Sequence, residues 1–437
     1  MSVVKQLFNP KNKDLQKKIL FTLIALFIFK IGTAITVPGV KLHTNNYSFF
    51  EILNAMSGGA FENASIFALS VTPYITAQII VQLLSMDIVP YLAELSKQGG
   101  VGQKKMNQIT RVVGIILGFI QGYMYSFAYI SNGTPIQYML YALILTAGTA
   151  LLMWIGDQIT IKGIGNGMSL IIMAGIINVL PNMFVKLWME LIGSGFIGIL
   201  LFITFVLIFL LVIIGVIFVE SAERRLPIQY ANKSTSAMTN QNYIPFKLNS
   251  AGVIPVIFAS ALLSVPAIIA NFVKNDTFSL IVSKYITYTT NTGLILYVIL
   301  IIIFTYFYTF MQLKPKELSE NLNKNGGYIP GIRPGKETLD YITKVLKRIT
   351  IVGGIFLAIL ASLPILFGKL STLSTTISIS GTGLLIVVGV ALETYKQLES
   401  QLVSRTYENG RKGRRRRWKV LYLLQPLLLV KVQKLLY

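Results

Sequence analysis

Ionisable side chains that could act as acids, bases or metal ligands are scarce within the apolar segments of this 437-residue sequence. The first apolar segment contains Lys30, and the other such groups stand at segment ends: Asp87, Arg111, Asp157, Glu220 and Glu393. The chain has no cysteine, which excludes a disulfide framework, a thiolate nucleophile and a cysteine-based metal site. Its one histidine, His43, lies in a polar segment and is interpreted as solvated. We therefore predict no catalytic residue and no metal site, and hence that the protein is not an enzyme.

Motifs for nucleotides and cofactors are also missing from the sequence. Gly335-Lys336 and Gly368-Lys369 lack both the spacing and the following hydroxyl of a phosphate-binding loop. Residues 163–167 (GIGNG) are rich in glycine, but no strand precedes them, so a tight turn is favoured over a cofactor loop. Coupled carriers usually need buried acids or bases along their path, and the shortage of such groups argues against a coupled transporter. We predict no cofactor.

The composition is that of a polytopic membrane protein. Hydrophobic residues make up 54% of the chain and charged residues 13%, and the mean hydropathy is +0.65. A soluble domain has roughly a quarter charged residues. A basic polar leader runs into the first apolar segment without a small-residue cleavage site, so we predict no cleavable signal peptide.

Ten apolar segments are interpreted as membrane-spanning helices, for which about 20 residues are needed. They are residues 19–37, 66–84, 109–130, 136–155, 167–180, 196–219, 251–270, 293–313, 349–367 and 379–392. Of the 39 Lys and Arg residues, 33 fall on one side of these spans and 5 on the other, and Lys30 lies within a span. Under the positive-inside rule this imbalance places both termini in the cytoplasm and explains most of the net charge of +22.

The spans divide into two halves of five, residues 1–190 and 191–400, followed by a basic tail, 401–437. The second span of each half contains proline (Pro73; Pro255 and Pro266), and we expect the helix to break there. A further break is expected at Pro181-Asn182, where the fifth span ends. An odd number of spans per half inverts the second half, and inverted repeats with matching broken helices point to a functional site between the halves.

The stretch before the second span is unusual. Residues 57–63 (SGGAFEN) are too polar to face lipid, yet they run without a turn into the apolar run 66–84. Such a segment lies at membrane depth only where protein or a water-filled cavity surrounds it. Its glycines predict a short, loosely held helix packed close to other backbone. An outer loop followed by an ordinary span is the alternative, and these residues alone do not decide between the two.

Two long polar loops, residues 220–249 and 314–348, lie on the cytoplasmic side of the predicted topology. In the second loop, residues 331–335 (GIRPG) place Arg333 between turn-forming residues. A guanidinium at such a tip could bind a carboxylate or phosphate of a partner. Spacing alone favours the simpler interpretation, a solvated turn with an ordinary topogenic arginine.

Several of these motifs together resemble one family. Residues 67–84, 163–167, 249–259 (NSAGVIPVIFA), 331–335 and 384–393 (LLIVVGVALE) are similar, in order and with the right number of spans, to SecY. SecY is the central subunit of the bacterial protein-conducting channel, in the Sec61-alpha family. The resemblance runs from about residue 15 to about residue 407. It implies an all-α polytopic protein of the cytoplasmic membrane, with ten transmembrane helices in two inverted five-helix halves around a central pore.

The resemblance also implies a plug and a pore ring. The plug would be Ser57, Gly58, Gly59, Ala60, Phe61, Glu62, Asn63, Ala64, Ser65 and Ile66. The pore ring would be Val71, Ile75, Ile172, Ile176, Ile257 and Ile386. A collar of branched apolar side chains makes a constriction that water leaves readily, so it blocks ions yet yields to a passing chain. From spacing alone, each of these six is an ordinary core side chain.

The remaining implications concern the gate and the partners. Spans two and seven would form a lateral gate, and a hydrogen bond between Gln121 and Asn249 would hold it shut by on the order of 1 kcal/mol. The two cytoplasmic loops, with Arg224, Arg225 and Arg333, would dock the SecA ATPase or a ribosome. SecE would clamp the halves and SecG would lie alongside, and the other expected partners are signal sequences, translocating polypeptides and membrane lipid.

The function implied is a passive channel that secretes unfolded polypeptides and inserts membrane proteins laterally, driven by an external motor or ribosome. A secondary transporter of a small solute and an assembly scaffold are the alternatives. The end of the chain, residues 410–437, departs from the family with a basic run at 410–418 (GRKGRRRRW). It could lie on anionic lipid, reach a partner or be an added segment, and no function is assigned to it.

Overall fold

The computed structural model describes residues 13–38, 57–85, 88–130, 133–192, 195–230, 242–273, 276–286, 290–370 and 375–410. The leader before residue 13, His43, Asp87 and the tail from residue 411 lie outside the described residues, so the interpretations given to them stay predictions.

Helices make up nearly all of the described chain. Up to residue 192 these are α1 (Lys13–Ala34), α2 (Thr72–Leu84), α3 (Pro90–Lys97), α4 (Gly99–Tyr129), α5 (Pro135–Lys162) and α6 (Gly167–Ile192). They continue with α7 (Gly195–Ser221), α8 (Ile254–Val273), α9 (Asp276–Ile281), α10 (Asn291–Leu313), α11 (Pro315–Lys324), α12 (Lys336–Leu370) and α13 (Thr375–Gly410). A π-helical turn, Val282–Ile286, follows α9. The strands are β1 (Glu223–Tyr230), β2 (Asn242–Lys247) and β3 (Gly327–Tyr328).

Each predicted span overlaps one helix, in the order α1, α2, α4, α5, α6, α7, α8, α10, α12 and α13. Six helices in the described residues are long and apolar enough to cross a membrane by length and composition. The fold is therefore all-helical and polytopic, as predicted. The polar connection expected after the second span contains the short helix α3, and α13 extends well beyond the last predicted span.

The two second-span helices begin at their prolines. Pro73 lies in the first turn of α2, and Pro255 follows Ile254, the first residue of α8. In this position the missing N–H would have had no helical partner in any case, so proline starts the helix rather than kinking it. The break predicted within the second span is thus a late start, since residues 66–71 form turns and the helix begins at Thr72.

The breaks predicted at Pro266 and Pro181 are wrong, because α8 and α6 run through them. Proline in a helix interior removes only one backbone hydrogen bond, and packing downstream can hold the remaining turns. After Pro181 this packing is a cluster in which Met183, Leu187 and Leu191 of α6 contact Phe205 of α7.

Apolar side chains form two large clusters. One joins α1, α2, α5 and α6 to Ile257 of α8 and to Ile386 and Val390 of α13, and the other joins α7, α8, α10, α12 and α13. Helix α13 packs on both α6 and α12, so it links the two clusters. The turn predicted at residues 163–167 is confirmed: Gly165 has φ +84°, and Ile164 N–H donates to Thr22 Oγ1 at 3.1 Å.

Candidate pore, plug and gate

The six predicted ring residues meet in one apolar cluster. Val71 caps the start of α2 and Ile75 lies one turn later, and the other four come from α6, α8 and α13: Ile172, Ile176, Ile257 and Ile386. Five of the six are buried, with exposed fractions of 1–9%, and Ile75 is partly buried against them. Helices α6 and α13 approach closely here, since a Cβ on Gly383 would lie 2.8 Å from Ile176 Cγ2.

The predicted plug, residues 57–66, is a run of tight turns that packs into this cluster. Ala60 is fully buried among the ring side chains, and Ser57, Phe61 and Ser65 are exposed by 1% or less. The predicted close packing against backbone is observed, because a Cβ on Gly58 would lie 2.8 Å from the Gly175 Cα atom of α6. The expectation of a loosely held helix is wrong, since burial and hydrogen bonds fix the segment as turns.

Hydrogen bonds tie the plug to three helices. Where α1 ends, Val37 N–H donates to Ala64 O at 3.0 Å and Ile66 N–H donates to Ile35 O at 3.2 Å, forming an antiparallel bridge between Thr36 and Ser65. On α4, Tyr129 Oη donates to Phe61 O at 2.7 Å. On α6, the Asn178 side-chain amide donates to Gly58 O, and Lys30 of α1 donates to the other end of that amide.

An aromatic pocket on α4 receives the plug side chain Phe61. Its ring lies edge-on to Tyr125 with centroids 5.7 Å apart, and 5.1 Å from the Tyr129 ring. Aromatic pairs in this range add roughly 0.5–1.5 kcal/mol each beyond area burial. The Phe61 position is therefore well determined.

Backbone strain is concentrated around the plug. Of the described residues other than glycine, Ala64, Ser70 and Lys314 have positive φ, and two of these three lie in the short stretch before α2. Such conformations cost of order 1–3 kcal/mol each and persist where the surroundings enforce them. Strain of this kind favours a segment that can leave its position.

The predicted gate hydrogen bond between Gln121 and Asn249 is not formed. The Asn249 amide donates instead to Glu220 Oε1 at 2.7 Å and to Gly252 O at 3.0 Å, while Gln121 Oε1 and Asn249 Oδ1 are both buried without a partner. Asn249 lies in the turn that joins β2 to α8. Its hydrogen bond to Glu220 connects this turn to the end of α7. The correction is therefore that Asn249 fixes the base of α8 within its own half.

A different pair of polar side chains meets between the halves. The Gln82 side chain of α2 lies near the Tyr308 hydroxyl of α10. Around it lies a small apolar cluster in which Ile75 and Ile79 of α2 meet Phe258 of α8. The sequence signal for this pair was weak, because a glutamine and a tyrosine in separate spans carry no information about their pairing.

The two long polar loops form one platform. Strands β2, β1 and β3 make a sheet in that order, so β3 of the second loop pairs with the β1 strand of the first. Tyr328 Oη donates to Gln229 Oε1 at 2.9 Å across this join. Beneath the sheet, Leu226, Phe246 and side chains of α11 and α12 form a separate apolar cluster.

The predicted docking arginines lie on this platform and differ in whether their side chains are already paired. Arg224 and Arg333 are exposed, and Arg333 stands between Gly331 and Gly335, which both have positive φ. Arg225 is already engaged: its guanidinium pairs with Glu223 at 2.8 Å and covers the Tyr243 ring at 4.7 Å. Arg224 and Arg333 are therefore the better candidates for a partner's carboxylates or phosphates.

Comparison with known proteins agrees with this geometry. A protein-family model described as SecY matches residues 65–395. The chain belongs to the SecY family. A protein translocase subunit SecY of Bacillus subtilis (strain 168) is 47% identical over 419 residues, covering 92% of this chain and 97% of the relative. One from Staphylococcus aureus (strain NCTC 8325 / PS 47) is 44% identical over 427 residues, covering 91% and 97%.

Solved structures share the SecY fold at low sequence identity. One described as the structure of a protein conducting channel has a TM-score of 0.66 at 19% identity, covering 89% of this chain and 93% of that one. Another is Sec61 in a canine ribosome-channel complex from the endoplasmic reticulum, with a TM-score of 0.63, 19% identity and the same coverage. This SecY-family chain is a multi-pass membrane protein and a protein-conducting channel.

Proposed function

We propose that the six ring side chains are the constriction through which this SecY-family channel conducts unfolded polypeptides. The observation that carries this proposal is their convergence from four helices into one cluster, with plug residue Ala60 buried among them. Branched apolar side chains give a narrow dry collar that excludes hydrated ions. They can also spread around a polypeptide, because no covalent bond or strong polar contact has to break.

The plug, residues 57–66, seals the resting channel from one side of this collar. Its burial and its strained approach to α2 support this role. The lateral gate lies between α2 and the pair α8 and α10, where Ile75 and Ile79 pack with Phe258 and Tyr308. A hydrogen bond between the neighbouring side chains of Gln82 and Tyr308 would help to hold it closed. A single hydrogen bond between membrane helices contributes on the order of 1 kcal/mol, which is weak enough for an entering apolar signal sequence to overcome.

The platform of residues 220–249 and 314–348 docks an external motor, the SecA ATPase, or a ribosome. Its exposed Arg224 and Arg333 support this proposal. SecE would clamp the halves, residues 1–190 and 191–400, and SecG would lie alongside. The chain would have both termini in the cytoplasm and reside in the cytoplasmic membrane, and it would carry out no chemical reaction itself. A secondary transporter of a small solute is not supported.

Crosslinking of a stalled secretory chain tests the ring. The chain has no native cysteine, so single cysteines at positions 71, 75, 172, 176, 257 and 386 can carry a crosslinker without background. We expect each ring position to crosslink to the stalled chain. Leu207 and Ile203 of α7, exposed by 60% and 50%, are the matched controls and should crosslink to lipid. Equal labelling of ring and control positions by the polypeptide would refute the assignment.

Conservative variants test the gate. Tyr308→Phe removes the hydroxyl that meets Gln82, and we expect it to let precursors with weakened signal sequences enter several-fold more often. Tyr306→Phe, on the same helix, is the control, because the Tyr306 ring stacks on Phe310 with centroids 4.9 Å apart. If both variants select signal sequences like the unaltered channel, the Gln82–Tyr308 contact does not restrain the gate.

A further inference from the structure

A cation lies within the first membrane-spanning helix and needs an explanation. Lys30 of α1 stands among apolar residues, and a charged side chain within a membrane-spanning helix is costly and calls for a partner. An ammonium group has only donors and no acceptor. Its Nζ donates to Asn178 Oδ1 of α6, far along the chain. The charge is therefore partnered by a neutral amide rather than by an acid.

This contact fixes the orientation of the Asn178 amide. Because the ammonium takes the oxygen, the amide nitrogen must point the other way, and it donates to the backbone carbonyl of Gly58. If the amide rotated by half a turn, its oxygen would face that carbonyl and repel it. Lys30 thus determines whether Asn178 attracts or repels the plug.

The plug lies directly on this face of α6. Gly175, one turn before Asn178, is so close to Gly58 that a Cβ on Gly58 would lie 2.8 Å from the Gly175 Cα atom. Gly58 has φ +71°, a conformation that favours glycine. The close contact and the hydrogen bond therefore both hold the first turn of the plug at Gly58, whereas the Tyr129 bond holds it at Phe61.

We propose that Lys30 is a positioning residue for the plug: through Asn178 it holds the Gly58 carbonyl and keeps the resting pore sealed. The inference rests on the proposed function, since it takes residues 57–66 to be the seal. It adds a reason for a positive charge inside the bilayer, and it makes the side-chain donor of Asn178 part of the closed state.

Substitutions in the assembled channel test this relay. Lys30→Met removes the charge at similar length, and Asn178→Asp keeps an acceptor for Lys30 but loses the donor to Gly58. We expect either change to raise the resting open probability roughly five- to tenfold, as for the loss of one hydrogen bond. Lys30→Arg should restore the seal. The readout is resting ionic current of the purified complex in planar bilayers.

A disulfide reports plug position independently of current. Thr36 and Ser65 are partners in a non-hydrogen-bonded antiparallel pair, so their Cα atoms lie about 4.5 Å apart, within the range for a disulfide. In the otherwise cysteine-free chain, Thr36→Cys with Ser65→Cys should oxidise more slowly when Lys30→Met or Asn178→Asp is added. Oxidation should then abolish the extra current, because the plug is locked in place.

Controls separate this proposal from the plug assignment itself. Thr33→Val, in the same helix, removes a hydroxyl that donates to Lys30 O at 2.8 Å within α1, and it should leave current and oxidation rate unchanged. If deletion of residues 57–66 opens the channel while Lys30→Met and Asn178→Asp remain tight, the relay is wrong and the plug stands. If the deletion also remains tight, the plug assignment fails and the relay fails with it.

Discussion

Helices α2 and α8 hold the same position in the two halves, and the segments that lead into them differ in one respect. Each helix begins with a proline in its first turn, and each follows a turn with a glycine of positive φ, Gly58 before α2 and Gly252 before α8. Before α2 the chain is buried, with Phe61 exposed by 1%. Before α8 the chain comes from an exposed hairpin and is fixed at Asn249.

Under the proposed function, this difference would let one architectural position serve two purposes. A buried turn beneath a helix start fills the space between the halves, so it can act as a seal. An exposed hairpin at the equivalent place of the inverted half lies on the other side of the membrane and can receive a partner. The predictions below test whether sealing and docking are separate in this way.

Removal of the plug should have the largest effect. Deleting residues 57–66 should produce steady ionic current through resting channels in planar bilayers, because the ring side chains lose the packing of Ala60. A charge-reversed hairpin variant, Arg224→Glu, should stay as tight as the unaltered channel. Resting current through Arg224→Glu channels, or no resting current after the deletion, would show that sealing and docking are not separate in this way.

Reversal of the exposed arginine tip should affect docking alone. Arg333→Glu is expected to reduce motor-driven transport of a secretory protein into vesicles by tenfold or more, since opposing charges at an interface become like charges. Arg225→Gln is the matched comparison, and it should have a small effect because Arg225 is paired with Glu223. A stronger defect from Arg225→Gln would reverse the assignment of roles on the platform.

Alanine at the two turn glycines should separate strain from crowding. Both Gly58→Ala and Gly252→Ala place a Cβ at positive φ, which costs roughly 1–2 kcal/mol. Only Gly58→Ala also meets backbone, since nothing lies within 4 Å of a Cβ at Gly252. We expect resting current from Gly58→Ala and none from Gly252→Ala, at similar changes in melting temperature. Equal resting currents from the two variants would show that displacing the plug segment at Gly58 does not open the pore.

The smallest expected effect is at the base of α8. Asn249→Ala removes two hydrogen bonds, to Glu220 Oε1 and Gly252 O, and should lower the free energy of unfolding by about 1–3 kcal/mol. Glu220→Gln keeps an acceptor oxygen and should change it by less than about 0.5 kcal/mol. Thermal unfolding in detergent measures both. A seal that fails in either variant would mean that the two helix starts are coupled.

Hydropathy placed the spans well, because it depends on composition over many residues. The helix breaks predicted at single prolines were right at some positions and wrong at others, for a physical reason. Pro73 marks a helix start, whereas Pro181 lies inside a continuous helix, since packing of Leu187 and its neighbours compensates for one lost hydrogen bond. A single sequence does not encode such compensation at the proline itself.

Polar partners were the least predictable part of the site. Gln121 and Asn249 were expected to pair, but Asn249 finds closer partners in its own turn. The hydrogen bond from Asn178 to Gly58 and the approach of Gln82 to Tyr308 depend on the packing of segments distant in sequence. Lys30 was noticed as a charge in a span, although its position next to the plug required the fold.

The hydrogen bonds described for the plug all come from α1, α4 and α6, which belong to the same half. When the halves move apart, the plug should therefore stay bound to that half. The pore ring would lose the side chains that α8 and α13 supply. Sideways release into lipid and threading across the membrane would then be separate events, with a membrane protein able to leave the channel before ions can leak through it.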